Sequence, residues 1–309
     1  MDITPIDLGG STFLVDTAMA DYPGIVAAYL IAGERPCLVE TGSATSAARV
    51  QEVLANLGLG PADLATIVVT HIHLDHAGGV GDIAAAFPTA EVVVHARGAR
   101  HLADPERLLA SARRVYGAEF DRLFGDLAPT DASRIRVVDD IGEVDLGGGR
   151  VLSTYYTPGH AQHHVGLLDS MTGDVYVGDA AGVYVPQHDL LRPSTPPPDF
   201  DLDLALTSLR RLAALEPTRL LFSHFGPVGA PGETLERAAD EIRLWVELVR
   251  EARMTDPGVD HAVALVRERT RERYLTMYAQ PAEAGAFETL SSTQANVTGI
   301  ARWLDTAGG

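Results

Sequence analysis

The chain has 309 residues, 46% of them hydrophobic, which is enough for a large buried core in one domain or two smaller ones. Its formal net charge of −18 argues against nucleic acids and anionic membranes as partners, because binding to either depends on a basic surface. All 24 basic residues are arginines, which excludes a P-loop lysine and a Schiff-base lysine.

The start of the chain and its single cysteine indicate where the protein works. Residues 1–5 lack the basic start and apolar stretch of a signal peptide, and no run of about 18 apolar residues occurs. We therefore expect a cytoplasmic location. Cys37 lies in the apolar run 36–39, which predicts a buried structural thiol rather than a nucleophile.

The first half of the chain is predicted to begin with strands and to continue with alternating helices and strands. The predicted strands are 3–7, 11–16, 25–32, 36–40, 65–69 and 91–95. The predicted helices are 44–57, a short one that ends near 87, and helical stretches around 98–124. The basic stretch 96–100, between His95 and His101, is predicted to be a solvated loop, with contact to an acidic substrate as the alternative.

The second half returns to strands and then becomes helical. The predicted strands are 134–138, 143–146, 150–157, 164–168 and 174–178. The predicted helices are 202–215, 232–253, 258–274 and 297–305. Before the first of these helices, the proline cluster 192–200 predicts an extended segment that serves either as a pocket wall or as a spacer.

Four potential metal ligands occupy six positions directly after the apolar run 65–69. They are His71, His73, Asp75 and His76. In an extended segment His71 and His73 point the same way and can reach one ion, while Asp75 and His76 face a second. Imidazole and carboxylate groups suit divalent transition metals. The alternative, surface histidines in a polar loop, would make this density a coincidence.

Further donors follow apolar or β-rich runs downstream. His160 comes after 154–159, Asp179 after 175–178 and His224 after 219–223. Ligands placed at strand ends converge readily on one rim of a sheet. The sequence therefore predicts that donors from distant parts of the chain share one metal site.

These motifs together resemble the metallo-β-lactamase superfamily. The resemblance rests on HxHxDH at 71–76, TPGH at 157–160, GDA at 178–180 and SHFGP at 223–227, and it extends over about residues 3–230. It implies that one metal is held by His71, His73 and His160. It implies that the second is held by Asp75, His76 and His224, and that Asp179 bridges the two.

The resemblance also implies an α/β fold, the αββα sandwich of two mixed β-sheets flanked by helices. We predict a catalytic domain over 1–230 and a C-terminal helical extension over 231–309 that packs on it. In hydroxyacylglutathione hydrolases and some lactonases, C-terminal helices cover the metal rim and select the substrate. A homodimer interface or core packing would explain the apolar stripe of this extension equally well.

The branch of the superfamily is narrowed by the residues present. True β-lactamases of this fold usually lack the last histidine of the first motif and the bridging aspartate. This chain has both, as His76 and Asp179. Flavodiiron proteins usually carry Glu where His73 stands and add a flavodoxin domain. RNA-processing nucleases need a far longer insert between His160 and Asp179.

The expected activity is hydrolysis of a small ester, thioester or lactone by a dinuclear metal site. In such a site a bridging hydroxide attacks the carbonyl, and Asp75 would shuttle a proton to the leaving group. We expect two zinc ions, with manganese or iron as alternatives. An iron oxidoreductase resembling persulfide dioxygenases, a phosphodiesterase and a non-catalytic ligand-binding member stay open. The expected partner is a small-molecule substrate whose identity one sequence does not reveal.

Five further residues are predicted to lie in the surroundings of the metals. Glu40 begins the sequence Glu-Thr-Gly at 40–42, where the family usually has Asp-Thr-Gly. It is a candidate to orient a ligand histidine, with a solvated carboxylate as the alternative. His164 matches an additional histidine of the family, whereas His163 departs from the pattern, and both are predicted as neighbours rather than ligands. Tyr184 and Phe200 are candidates for a pocket wall.

Overall fold

The computed structural model describes residues 4–307, which divide into two compact units. Within the described residues the first unit covers 4–156 and 163–176, and the second covers 157–162 and 177–307. The predicted domain boundary at residue 230 stays a prediction. Residue 3, where the first predicted strand (3–7) begins, lies outside the described residues.

The first unit begins with a mixed β-sheet of seven strands in sequence order. Its strands are β1 (Ile6–Asp7), β2 (Thr12–Asp16), β3 (Ala27–Ile31), β4 (Cys37–Val39), β5 (Thr66–Val68), β6 (Glu91–His95) and β7 (Ile135–Val138). Pairing is antiparallel up to β4 and parallel from β4 to β7. The central strands are short apolar runs because parallel strands are buried on both faces.

Helices connect the parallel strands of this sheet. They are α1 (Ala47–Asn56), α2 (Leu74–Ala77), α3 (Val80–Ala86), α4 (Ala96–Ala103), α5 (Glu106–Tyr116) and α6 (Phe120–Leu123). Helix α1 buries Val50, Val53 and Leu54, which lie on one face at helical spacing. Helices α3 and α4 pack on β6, and α4 also packs on β7.

Four consecutive strands of the second sheet pair antiparallel after β7. They are β8 (Ile141–Asp145), β9 (Val151–Tyr156), β10 (Val165–Asp169) and β11 (Asp174–Gly178). Tyr29 of β3 meets Tyr176 of β11 edge to face, with ring centroids 5.3 Å apart. The buried Arg150–Asp169 ion pair also reaches Thr12 of β2, 3.1 Å from the guanidinium. The two sheets of this unit are therefore joined through both apolar and charged contacts.

The second unit contains two antiparallel hairpins and six α-helices within the described residues. The hairpin strands are β12 (Val183–Val185) with β13 (Leu190–Arg192), and β14 (Arg219–Phe222) with β15 (Gly226–Val228). The helices are α7 (Leu202–Ala213), α8 (Pro231–Thr255), α9 (Val259–Thr270), α10 (Leu275–Tyr278), α11 (Pro281–Leu290) and α12 (Thr293–Ala307). Helix α12 packs on α8 and α9. Trp245 and Val249 belong to the buried stripe of α8 that the sequence predicted.

The predicted fold class, two mixed β-sheets flanked by helices with a helical C-terminal stretch, is confirmed. The two large sheets have seven and six strands among the described residues. None of the described helices, including the 25-residue α8, combines the length and apolar composition needed to cross a bilayer.

The prediction of a solvated loop at 96–100 is wrong, because this stretch forms the first part of α4. The His95 side chain accepts a hydrogen bond from the Arg97 backbone N–H at 3.3 Å and so caps the helix. Histidine is an uncommon N-cap, which explains why the helix start was missed. The segment 281–290, left outside the predicted helices, forms α11.

Candidate metal centre

In the first unit a change of backbone conformation gathers the donors of residues 71–76. The chain leaves β5 as an extended segment, and His73, with φ −62° and ψ 149°, is the last extended residue before α2. Asp75 and His76 lie on that short helix. The backbone carbonyl of His76 accepts hydrogen bonds at 2.9 Å from the N–H and the hydroxyl of Thr41, which fix the helix beside the end of β4.

The side chains of this segment converge. His71 Nε2 and His73 Nδ1 are 3.1 Å apart, and the rings of His71 and His76 have centroids 4.0 Å apart. His76 Nε2 lies 3.6 Å from an Asp75 carboxylate oxygen. His71 and His76 are buried, whereas His73 and Asp75 are half-buried. Buried imidazoles beside a carboxylate form the donor set that divalent transition metals prefer, so these residues fit a metal.

Glu40 lies fully buried beside this segment rather than in solvent. It follows β4 with a φ of 64°, in the left-handed region. Its Oε1 accepts hydrogen bonds from the backbone N–H and the hydroxyl of Thr70, and lies 3.5 Å from His76 Nδ1. Donor atoms of Glu40, His71 and His76 lie within 4.8 Å of one another. One carboxylate thus supports two of the predicted ligands.

Thr70 is a supporting residue that sequence reasoning missed. Its hydroxyl donates to Glu40 and lies 3.0 Å from His71 Nδ1. Since the Thr70 proton is directed at the carboxylate, its oxygen accepts from Nδ1–H of His71, which leaves Nε2 as the ligand atom. A hydroxyl residue directly before the first histidine was the available signal.

The two histidines predicted as neighbours lie beside His71. His163 Nδ1 accepts a hydrogen bond at 3.3 Å from the backbone N–H of Ile72, and its ring is parallel to that of His71 with centroids 6.2 Å apart. His164 is buried, with its ring centroid 5.1 Å from that of His71. His163 therefore contacts the backbone between the first two predicted ligands.

In the second unit the donors come from three separate segments. His160 lies in the turn 157–162, where Gly159 has a φ of 131° and a side chain there would place a Cβ 2.3 Å from the Ala205 nitrogen of α7. Only glycine allows this approach, which holds the turn against α7. Asp179 follows β11 and His224 follows β14.

Asp179 lies between the two histidines of this unit. One carboxylate oxygen is 3.6 Å from His160 Nε2, and the other is 3.5 Å from His224 Nε2. All three side chains are buried. A carboxylate whose two oxygens face different imidazoles has the arrangement expected of a bridging ligand, so this donor set also fits metal binding.

Ser194 supports two of these donors and was also missed. Its hydroxyl donates to Asp179 Oδ2 at 3.0 Å, and its backbone carbonyl accepts from His160 Nδ1 at 3.0 Å. His160 therefore carries its proton on Nδ1 and presents Nε2 toward Asp179. Ser194 lies in the proline cluster 192–200, for which the sequence left only a wall or a spacer.

Tyr184 contacts the His224 segment through its backbone. Its N–H donates to the carbonyl of His224, and its own carbonyl accepts from the N–H of Phe225. The hydroxyl donates to Asp189 at 3.3 Å. The role of Tyr184 as a pocket wall stays a prediction, whereas Phe200 is buried in the core beside Trp303.

Cys37 takes no part in either donor set. It is fully buried in β4, and burial raises the pKa of its thiol to about 12. The thiolate population near neutral pH is therefore negligible, which agrees with the prediction of a structural thiol.

Comparison with known proteins supports the family resemblance that the sequence motifs suggested. A profile of the metallo-β-lactamase superfamily matches residues 21–224. The metallo-β-lactamase fold-containing protein ST1585 of Sulfurisphaera tokodaii is 30% identical over 212 residues, 67% of this chain and 76% of that protein. Its crystal structure matches with a TM-score of 0.65 at 27% identity, covering 75% of this chain and 86% of the solved one.

Two further relatives extend the comparison. The structure of the metallo-β-lactamase family protein TTHA1429 from Thermus thermophilus has a TM-score of 0.69 at 23% identity, and covers 98% of this chain and 95% of that one. N-acyl homoserine lactonase AttM of Azorhizobium caulinodans is 32% identical over 114 residues, 36% of this chain and 38% of that protein. On the profile match and the similarity to ST1585, the chain belongs to the metallo-β-lactamase superfamily.

Proposed function

We propose that the protein is a dinuclear metal-dependent hydrolase that cleaves a small ester, thioester or lactone. In this proposal the predicted ligands keep the assignment that the family motifs imply. The first cation is assigned to His71, His73 and His160. The second is assigned to Asp75, His76 and His224, and Asp179 bridges the pair.

The observation that carries the proposal is the arrangement around Asp179, whose two oxygens face two different buried imidazoles. This arrangement supports a carboxylate that is shared between two cations. When bound, two divalent cations supply Lewis acidity and a hydroxide nucleophile near neutral pH. We propose zinc as the metal, with manganese or iron as alternatives.

The chain's own residues prepare the ligands for this chemistry. Thr70 and the carbonyl of Ser194 accept the Nδ1 protons of His71 and His160, so that Nε2 of each ring keeps its lone pair. Both rings are buried, so packing also restricts their movement. The histidines are thereby held as neutral ligands in fixed orientations.

Asp75 differs from the buried donors because its carboxylate is partly exposed, with 18% of the side chain accessible. A carboxylate with access to solvent can take up and release a proton, which suits the delivery of a proton to the leaving oxygen or sulfur. We propose Asp75 as both a metal ligand and the proton shuttle.

The similarity to a lactonase supports the carbonyl-ester class of substrates, since N-acyl homoserine lactonase AttM is a relative. The high negative charge of the chain makes a nucleic acid an unfavourable partner. We therefore propose a small-molecule substrate.

Metal analysis combined with a substrate panel tests the proposal. Protein purified without added metal is quantified for divalent cations, then assayed on thioesters, lactones, carboxylic esters and bis(p-nitrophenyl) phosphate. We expect two cations per chain, and carbonyl-ester hydrolysis that a chelator abolishes and added metal restores.

Three outcomes would overturn the proposal. Absence of bound metal would remove its basis. Iron accompanied by thiol-dependent oxygen uptake would instead indicate an oxidoreductase, and cleavage of the phosphodiester alone would indicate a phosphodiesterase.

A further inference from the structure

The segment that contains Ser194 is held by the C-terminal helices of the second unit. It begins at Arg192, whose buried guanidinium donates to the carbonyl of Ser291 at 2.6 Å and to Glu288 at 2.7 Å. The guanidinium carbon also lies 5.0 Å from the ring centroid of Tyr274 and 4.5 Å from that of Phe287. Arg192 is therefore fixed by residues of α11 and by residues just before and after that helix.

Thr195, three positions after Arg192, is held by Asn296 of α12. The side-chain Oδ1 of Asn296 accepts a hydrogen bond at 2.6 Å from the backbone N–H of Thr195. The Thr195 hydroxyl donates to the backbone carbonyl of Asn296 at 3.1 Å. Both residues are buried, with Thr195 0% and Asn296 4% exposed, so water does not compete for these hydrogen bonds.

Helix α12 approaches this segment too closely for any side chain at Gly299. A Cβ added there would lie 2.0 Å from the carbonyl oxygen of Thr195 and 2.8 Å from the carbonyl carbon of Pro196. Backbone therefore lies directly on backbone, one helical turn after Asn296. The contact sets the position of residues 195–196 relative to α12.

Ser194 lies between these two anchors, Arg192 and Thr195, and it contacts two proposed metal ligands. It holds Asp179 through its hydroxyl and His160 through its carbonyl, both at 3.0 Å. A displacement of Thr195 would move the carbonyl of Ser194, because the two residues share a peptide unit. The contacts run from α12 through Thr195 and Ser194 to the ligands.

We propose that Asn296 is a positioning residue for the metal centre, which fixes Thr195 so that Ser194 holds Asp179 and His160. The inference rests on the proposed metal-binding function and deepens it. It assigns to the C-terminal helices a part in metal affinity that is separate from any contact with substrate.

The physical basis is the loss of a buried acceptor. Replacement of Asn296 by alanine leaves the Thr195 N–H without its acceptor in a water-excluded site, and the segment shifts to recover a partner. Loss of groups that orient metal ligands typically weakens metal binding by about 10- to 100-fold. We expect Asn296→Ala to fall at the lower end of that range, because it acts one residue away from Ser194.

The experiment measures zinc dissociation constants by competition with a chromophoric chelator, and visible spectra of the cobalt-substituted protein. The test variants are Asn296→Ala and Ser194→Ala. Gln294→Ala is the matched control, since it removes an exposed amide from the same helix. Ile300→Ala controls for general destabilisation, because Ile300 is fully buried in α12 and has no part in the contacts with Thr195.

We expect Asn296→Ala and Ser194→Ala each to weaken zinc binding about 10-fold or more at the more affected site, and to change the cobalt spectrum. Gln294→Ala should match the wild type. Ile300→Ala should lower the melting temperature while it leaves affinity and spectrum unchanged. The double variant should weaken binding by less than the product of the single effects, because both changes act on one segment.

The outcomes separate this inference from the proposed function. A wild-type protein that binds no metal would defeat both. Wild-type binding of two cations with unchanged affinity in Asn296→Ala would defeat the positioning role alone. The same holds if Ile300→Ala reproduces the loss of affinity, or if the double variant shows the full product of the single effects.

Discussion

The two units assemble their metal donors in different ways. In the first unit four donors lie within 71–76, and one extended segment followed by one helical turn brings them together. In the second unit His160, Asp179 and His224 come from separate turns, and they meet only because the intervening segments pack. Local geometry accounts for the first donor set, whereas tertiary structure accounts for the second.

The support for the two sets differs in the same sense. Glu40 and Thr70 lie at the ends of adjacent parallel strands, so the sheet itself brings them to His71 and His76. Ser194 depends on a proline-rich segment whose position is fixed by residues about 100 positions later in the chain. We therefore expect the second set to be more sensitive to changes remote from the metals.

The largest expected effect follows from removing the donor at the centre of the second set. Asp179→Ala should abolish binding of at least one cation. It should also reduce turnover by more than about 100-fold, the upper end of the loss expected when a group that only orients a ligand is removed. Metal content after dialysis and the initial rate of ester hydrolysis measure this. Asp179→Asn is the matched variant, since it keeps the volume and one acceptor oxygen for Ser194 and removes the charge.

Equal occupancy and rate in Asp179→Ala and wild type would show that Asp179 bridges nothing. Asp179→Asn should bind metal less well than wild type while it unfolds at a similar temperature. A large loss of stability in that variant would point to a structural carboxylate instead.

A smaller effect is expected in the first set when its support is removed. Glu40→Ala deprives Thr70 of its acceptor and His76 of its neighbouring carboxylate, and should weaken metal binding by about 10- to 100-fold. Glu40→Gln keeps an acceptor oxygen for Thr70 and should lose less. Isothermal titration calorimetry with zinc measures the metal affinity of each of the two variants. If both variants bind as the wild type does, His71 and His76 are held by the backbone alone.

The smallest effect is expected at His163, beside the first set. His163→Phe keeps a ring against His71 and removes the acceptor for the backbone N–H of Ile72. Ile72 is only 2% exposed. The buried donor left behind costs about 1–3 kcal/mol, which thermal unfolding of the metal-free protein measures. His163→Asn supplies another acceptor and should recover part of the loss. Equal melting temperatures in all three proteins would contradict this role.

The predictability of the site follows the same division. The ligands in 71–76 could be read from spacing, because a strand end and one helical turn are local structures. Ser194 was missed because its role depends on hydrogen bonds to residues distant in sequence, for which the pattern of residue types carries no signal. Thr70 was missed although it directly precedes the first histidine, because its hydrogen bond to Glu40 becomes visible only in the structure. Their positions directly after apolar or β-rich runs made His160, Asp179 and His224 candidates, the family motifs agreed, and the structure places these three side by side.

The fold shows a parallel contrast. Apolar runs such as 37–39 and 66–68 identified the central strands, since strands buried on both faces consist almost wholly of apolar residues. Helix α4 was partly missed because its first turn is rich in charge and is capped by a histidine. Strands β12 and β13 were not predicted, because each has three residues and is too short to show the alternation of apolar and polar residues typical of a strand.

The enclosure of Arg192 restricts how this chain can vary. Its planar guanidinium bonds to three groups at once, the Ser291 carbonyl, the Tyr278 hydroxyl and Glu288, while it lies against aromatic faces. A lysine ammonium has neither the fork of donors nor the flat surface for this. The exchange usually regarded as most conservative for arginine, replacement by lysine, is thus among the least tolerable at this position.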